Sequence, residues 1–336
     1  MSEIGGGSDD GLTTGGEGTG ESTAGGGTGE VTGGSAGETS GTGETSVTGE
    51  TGTGKGAETA HGTSEVGKVS AEAVQETGKS GETLSPMEQA QKSVEAFHDM
   101  SVKQILSVNE QYMSKEDRER VARGVDGIRA VPHDPAKGRT GGYLFYDGKS
   151  TIEVSAIDAR QMERSTKHET NHFLSAHREI IVPEPDKKGY TVYQSVGTRQ
   201  SSWFHSNETG TISGMTTKGR GLNEGLTTMY TNQQLTELSK EKGEAAEREG
   251  IYPQATEICK QLESIVGKDA MKEAYYGGNT KALEAKVDEL AGERSFDALR
   301  DCLDRTLSRD HAERVQAMKE AQDILAKMHE EAEKRK

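Results

Sequence analysis

Every aromatic side chain of this protein lies after residue 84. That boundary decides where a core can form. Residues 1–84 hold 25 of the 44 glycines, no proline, and 14 acidic residues against 3 lysines. Their irregular Thr-Gly-Glu echoes, as in TSGTGETSVTGETGTGK, bury too little apolar surface to offset the entropy of ordering. The sequence therefore predicts a disordered arm over 1–84, a flexible coil rather than a stiff spacer. Of the formal net charge of −16, −11 belongs to this arm and −5 to the other 252 residues. The remainder is an ordinary, mildly acidic chain, long enough for one large domain or two small subdomains.

Several classes are excluded at this point. No run of about 18 apolar residues exists, so no membrane span is expected. Nucleic acid is not an expected partner, because phosphate neutralisation needs clustered Lys and Arg. The start, MSEIGGGSDDGLTTGG, has neither a basic segment nor an apolar one, so no secretory signal is expected. The chain is expected to be cytoplasmic or exported by a route that needs no signal peptide. Two cysteines, Cys259 and Cys302, cannot build a disulfide framework and are expected as buried thiols.

Order is expected from Ser85, where Ser-Pro-Met-Glu makes a capping box with Pro at the first helical position. Val94, Phe97, Val102, Ile105 and Leu106 continue that helical region. A second helix starts at Ser114, carries Val121 and Val125, and is closed by Gly127 and Pro132. Two strands follow, Tyr143–Tyr146 and Thr151–Ser155, around a Gly-containing turn, Asp147-Gly148-Lys149-Ser150, with Ile128–Val131 as a further strand. Asp158 caps a helix that runs through Met162 to about His177 and stops before Pro183. Residues 190–220 mix Tyr, Val, Trp and Phe with Gly, Ser and Thr, and read as a hairpin or long ordered loop. Helices then cover about 222–240, start at Pro253, span Lys268–Tyr276, and follow from Thr280, Ser295 and His311. The expected divisions are the 1–84 arm, an 85–126 helical lead-in, a 127–220 subdomain of sheet and helix, and a 221–336 helical subdomain.

Within the helix capped by Asp158 stands His168-Glu169-Thr170-Asn171-His172. Two histidines at i and i+4 share one helix face and can reach a single cation, with Glu169 beside them. With 9 His and 40 Glu in the chain, composition alone would place H-E-x-x-H about 0.03 times. Imidazole nitrogens suit zinc, and a catalytic zinc site takes three protein ligands. Glu224, in Gly221-Leu222-Asn223-Glu224-Gly225-Leu226-Thr227-Thr228, is the best-placed third donor. His177, His205, Glu179 and Asp186 compete with it.

The pairing of HETNH with a downstream LNEGLTT resembles the gluzincin branch of zinc metallopeptidases. The upstream YLFYDGKSTIEVS is similar to the hairpin that precedes the active-site helix there, and YPQATEICKQLESIVGKDAMKEAYYGGN to the helical half of bacterial peptidase MA-like domains. The resemblance covers Gly127–Asn279. It implies an α+β, zincin-like fold, with a small antiparallel-edged sheet, an active-site helix and a mostly α-helical C-terminal subdomain. It also implies one Zn²⁺ held by His168, His172 and Glu224, and Glu169 as general base in peptide-bond hydrolysis. Its substrate would be a peptide or protein laid along an edge strand, for which Thr151–Ser155 is the candidate. Many gluzincins carry an acid four residues after the ligand Glu. Here that position is Thr228, so Thr228 and Asn223 are the candidate supports of a ligand histidine.

Transition-state donors stay open among Tyr190, Tyr193, His205 and Tyr230, although for each alone ordinary packing or surface exposure is the better account. Trp203-Phe204 fits a core contact or a substrate pocket. Two alternatives to an active endopeptidase remain. One is a catalytically inactive zincin-like binding module; the other is an exported bacterial effector or toxin that uses the same site.

Overall fold

A computed structural model describes residues 84–137, 140–242 and 251–336. The expected disordered arm, all but Leu84, lies outside the described residues. The chain order is α1 (Pro86–Asn109), α2 (Lys115–Arg123), β1 (Gly127–Pro132), β2 (Gly141–Tyr146), β3 (Lys149–Ala156) and α3 (Ala159–Leu174), then the strands β4 (His177–Glu184), β5 (Gly189–Val196), β6 (Arg199–Ser206) and β7 (Ile212–Lys218). Six helices follow, α4 (Arg220–Lys242), α5 (Pro253–Val266), α6 (Lys268–Tyr276), α7 (Thr280–Ala291), α8 (Ser295–Arg305) and α9 (His311–Lys334). The class is α+β.

Local chemistry sets most helix starts. At α1 the Glu88 amide donates to Ser85 Oγ (3.3 Å) and the Ser85 amide to Glu88 Oε2 (2.7 Å), a reciprocal capping box. Ser114 caps α2 and Asp158 caps α3 through the amides three residues on. The second helix is shorter than expected. It ends at Arg123 because Gly124 takes φ +81°, so Val125 lies outside it and Gly127 and Pro132 belong to β1.

β2 and β3 form a two-residue hairpin, with Tyr146 opposite Lys149 and both turn residues, Asp147 and Gly148, at positive φ. That is the primed turn that an Asp-Gly pair favours. β1 pairs parallel to β3, so the three-stranded sheet has the order β1-β3-β2. This corrects the expected edge strand. Thr151–Ser155 lies in the middle of the sheet, because Ile128–Val131 occupies the side of β3 that would otherwise be open. The edges are β1 and β2.

The helix with the two histidines also ends early, at Leu174 rather than near His177. Ser175 is extended, the Ala176 amide donates to Tyr275 O (2.9 Å), and the Gly197 amide donates to Ala176 O (2.7 Å). These bonds turn the chain into β4, which contains Pro183 and pairs with β5. Of the two readings of residues 190–220, the hairpin holds and extends: β5, β6 and β7 follow β4 in an antiparallel meander β4-β5-β6-β7. Its edge strands are exposed along most of their length, so they carry little apolar alternation. Trp203 is buried in this sheet, and Phe204, on the other face of β6, is partly exposed.

A continuous core joins α1, the three-stranded sheet, α3 and the C-terminal helices, through Val94, Ile105, Ile152, Val154, Phe173, Leu226 and Leu303 among others. Cys259 and Cys302 are buried free thiols within it. Among the described residues no helix is long and apolar enough to cross a membrane.

The C-terminus of α3 is fixed by a buried ion pair. Arg120 of α2 donates to the carbonyls of Phe173 and Ser175 and pairs with Asp117, while Asp117 accepts the His177 amide (3.0 Å) and Arg178 (2.9 Å). The guanidinium thus satisfies carbonyls that a helix end leaves unpaired. Arg120→Ala takes from buried Asp117 one of its two cationic partners and from the Phe173 and Ser175 carbonyls their guanidinium donor. It is expected to lower stability by about 3–5 kcal/mol in urea unfolding, and an unshifted midpoint would count against this role.

Candidate metal centre

The site is built where two helices cross. His168 and His172 stand one turn apart on α3, and Glu224 stands in the second turn of α4. His168 Nε2 lies 3.2 Å from Glu224 Oε2 and His172 Nε2 lies 3.3 Å from the same oxygen. All three residues are buried, and among the described residues they form the one cluster whose ligand atoms converge, within 4.8 Å of one another. A tetrahedral ion with bonds of 2.0–2.1 Å has ligand atoms about 3.3 Å apart. The donor set and its spacing therefore fit a divalent metal ion.

The depth of Glu224 depends on close helix contacts. A Cβ at Gly221 would lie 2.0 Å from Leu303 O, and one at Gly225 would lie 2.7 Å from Cys259 Sγ. These two glycines, four apart, let α4 lie directly on α8 and α5. Asp304 of α8 then accepts the Gly219 (2.8 Å) and Gly221 (2.6 Å) amides, which caps the start of α4. Asn223 Oδ1 accepts the Thr198 amide (3.0 Å) and ties α4 to the β5–β6 turn.

Electrostatics at the site favour positive charge beside Glu224. Burial alone would raise its pKa, but the charge of His172 and the hydrogen bonds from both imidazoles outweigh it and hold the carboxyl well below the ordinary glutamate value. Burial opposes a proton on His168, while the Glu224 bond and the charges of Glu169 and Glu224 favour one, and the net shift is upward. A metal ion would supply the same compensation on the same atoms.

The His172 ring is held on several sides. Tyr143 stacks on it (centroids 6.3 Å, 14°), and His168 meets it edge-on at 4.9 Å. Its Nδ1 lies 3.2 Å from Asn223 Nδ2 and 3.3 Å from Thr227 Oγ1. Thr228, the expected support along with Asn223, is buried with its hydroxyl unpartnered. The support therefore comes from Asn223 and from Thr227, one residue earlier. Glu169 is buried beside the histidines, against the start of β2. A Cβ on Gly141 would fall 2.7 Å from Glu169 Oε1.

The competing donors are engaged elsewhere. His177 Nδ1 bonds to Ser175 O (2.7 Å) and Nε2 to the Tyr143 hydroxyl (2.8 Å), and burial, with the charge of Arg120, keeps its pKa well below the ordinary histidine value. Glu179 accepts from Gln194 (3.1 Å), and Asp186 is exposed in the turn after β4. His205 stacks on Tyr190 (4.8 Å, 16°) across β5 and β6. Tyr193 is half exposed on the opposite face of β5, and Tyr230 packs in the core against Tyr275 and Tyr276. The tyrosine rings set beside the two histidines are instead Tyr143 and Tyr252, the latter 6.3 Å from His168.

Thr227, Asp304, Gly141 and Tyr252 escaped the sequence reading. Only Gly221 and Gly225, through their four-residue spacing, carried a usable signal of close helix packing. No protein-family model, curated protein or solved structure matches the chain.

Titration with Zn²⁺ is expected to give one bound ion per chain and a higher thermal midpoint, since a ligand that binds only the folded state stabilises it. Glu224→Ala is expected to abolish that uptake in elemental analysis. Full retention of the ion would move the third donor elsewhere.

Proposed function

We propose that the protein is a zinc-dependent endopeptidase of the zincin type, with His168, His172 and Glu224 as its metal ligands and Glu169 as its general base. The observation that carries this reading is the convergence of the HETNH histidines with a carboxylate from a second helix, Glu169 standing beside them. Two imidazoles and one carboxylate are the protein donors of a hydrolytic zinc site with a position left for water. A zinc ion bound there would lower the pKa of water and polarise a carbonyl.

The chain's own residues supply the rest. Glu169 takes a proton from the attacking water and returns it to the leaving amine, a transfer suited to a carboxylate held at the reacting group. His172, clamped between Tyr143 and α4, keeps its donor nitrogen aimed at the site. β2 is an edge strand, and its first residue, Gly141, lies against the Glu169 carboxylate. A peptide added to that edge passes the base as it lies down. Backbone pairing then gives affinity and side pockets give selectivity. The substrate strand of this proposal is thus paired to β2 rather than to Thr151–Ser155.

Glu169→Gln is expected to keep the metal and lose cleavage of a denatured protein mixture by about 10²-fold or more. Equal rates in parent and variant would reject the base. Absence of cleavage in a metal-loaded parent would favour a binding module. Gly141→Ala forces the Glu169 carboxylate aside. It is expected to lower kcat by up to about 10²-fold at unchanged metal content, read by steady-state kinetics on a cleaved peptide.

A further inference from the structure

Asn223 and Thr227 present opposite hydrogen-bonding groups to the same nitrogen of His172. The Asn223 amide cannot turn over, because its oxygen already accepts the Thr198 amide (3.0 Å), so its NH₂ faces Nδ1 at 3.2 Å. A donor there suits the His172 tautomer that carries its proton on Nε2 and gives it to Glu224 (3.3 Å). A metal ion on Nε2 requires the other tautomer, with the proton on Nδ1. The amide is then the wrong partner, and an acceptor is needed.

Thr227 is that acceptor. Its hydroxyl proton is committed to Asn223 O (2.7 Å), so the lone pairs of Oγ1 face outward, and one of them meets Nδ1 at 3.3 Å. The other receives the Tyr275 hydroxyl at 2.7 Å. Thr227 and Tyr275 are both fully buried, and burial holds the Tyr275 phenol in its protonated, donating form. Tyr275 is fixed in turn from the β5–β6 turn, where a Cβ on Gly197 would lie 3.1 Å from its ring and 2.3 Å from Asn223 Oδ1. The Tyr275 hydroxyl is thus a fixed partner of Thr227. It holds the threonine rotamer in which the lone pair faces the histidine.

We infer that Thr227, supported by Tyr275, is the positioning residue of the metal-loaded His172. The inference rests on the metal-site reading above and goes beyond it by assigning how that site selects its histidine tautomer. Groups of this kind set ring orientation and ligand basicity, and their loss commonly costs 10–100-fold in metal affinity.

The test uses the full chain and Zn²⁺ in competition with a chromophoric chelator, beside the thermal midpoint of the metal-free protein. Thr227→Val, which keeps shape and removes the hydroxyl, is expected to lower Zn²⁺ affinity about 10–100-fold, and Thr227→Ser to recover most of it. Thr227→Val also strands the buried Tyr275 hydroxyl, so its metal-free midpoint is expected to fall. Adding Tyr275→Phe in that background removes the stranded group. The midpoint is then expected to recover while affinity stays low. In ¹⁵N-histidine spectra of the zinc-loaded parent, His172 is expected to carry its proton on Nδ1. Recovery of affinity together with the midpoint would reduce Thr227 to a packing role and overturn the inference, as would unchanged affinity in Thr227→Val. A parent that binds no Zn²⁺ would overturn the metal-site reading and this inference with it.

Discussion

Glu224 brings a negative charge into the interior, 7% exposed, and two imidazole nitrogens meet one of its oxygens. An ionised carboxylate in such a place is costly by several kcal/mol unless well-aimed partners compensate it. Here both partners come from a different helix, so the compensation works only if α3 and α4 cross at one depth and one rotation. A slip of a single residue along α4 would turn the carboxylate about 100° from the histidines. Much of the surrounding structure serves to prevent that slip.

Three devices do so. Arg120 and Asp117 fix the C-terminal end of α3 through its carbonyls and the His177 amide. Asp304 fixes the first turn of α4 from α8, and burial raises the pKa of that carboxyl while its two amide bonds lower it. Gly221 and Gly225 remove the side chains that would hold α4 off its neighbours. Each device acts on a helix end or a helix contact rather than on His168, His172 or Glu224, so the aim of those three side chains is set at other points of their helices.

The parts legible in the sequence are those decided within a few residues. The caps at Ser85, Ser114, Asp158, Asn279 and Asp310 and the turn at Asp147-Gly148 depend on neighbours within three positions. The i,i+4 histidines belong to the same class. What escaped depends on distant partners. β3 became a central strand because residues 24 positions earlier pair with it, and the end of α3 is set by a tyrosine carbonyl about 100 residues on. The β4–β7 meander was obscured because its outer strand, β7, is exposed throughout and shows no apolar alternation. Of the two side chains expected beside a site histidine, Asn223 meets His172, whereas the hydroxyl that meets it is that of Thr227 rather than Thr228. Spacing specifies a distance along the helix, whereas the contact depends on the rotation at which α4 meets α3.

The helix at the centre also departs from the usual rule for stability. Residues Ser165 to His172 are all buried, although each is polar or charged. A sequence such as STKHETNH reads as a solvated face, and burying it is unfavourable unless each group is matched. The matches are specific. Thr166 and Thr170 bond back to the carbonyls four residues earlier (2.7 Å each), and Thr170 also meets His98 of α1 at 3.0 Å. Asn171 donates to Lys167 O and Thr231 and accepts from Gln234 and Tyr276, which joins α3 to α4 and α6. An apolar helix at this position would satisfy the core with no such network. Hydrogen bonds that join three helices through one segment make its arrangement rigid. The Thr, Asn and His of this segment therefore act as a single unit, in which two histidines face Glu224 and the remaining polar groups fix the turn from which they project.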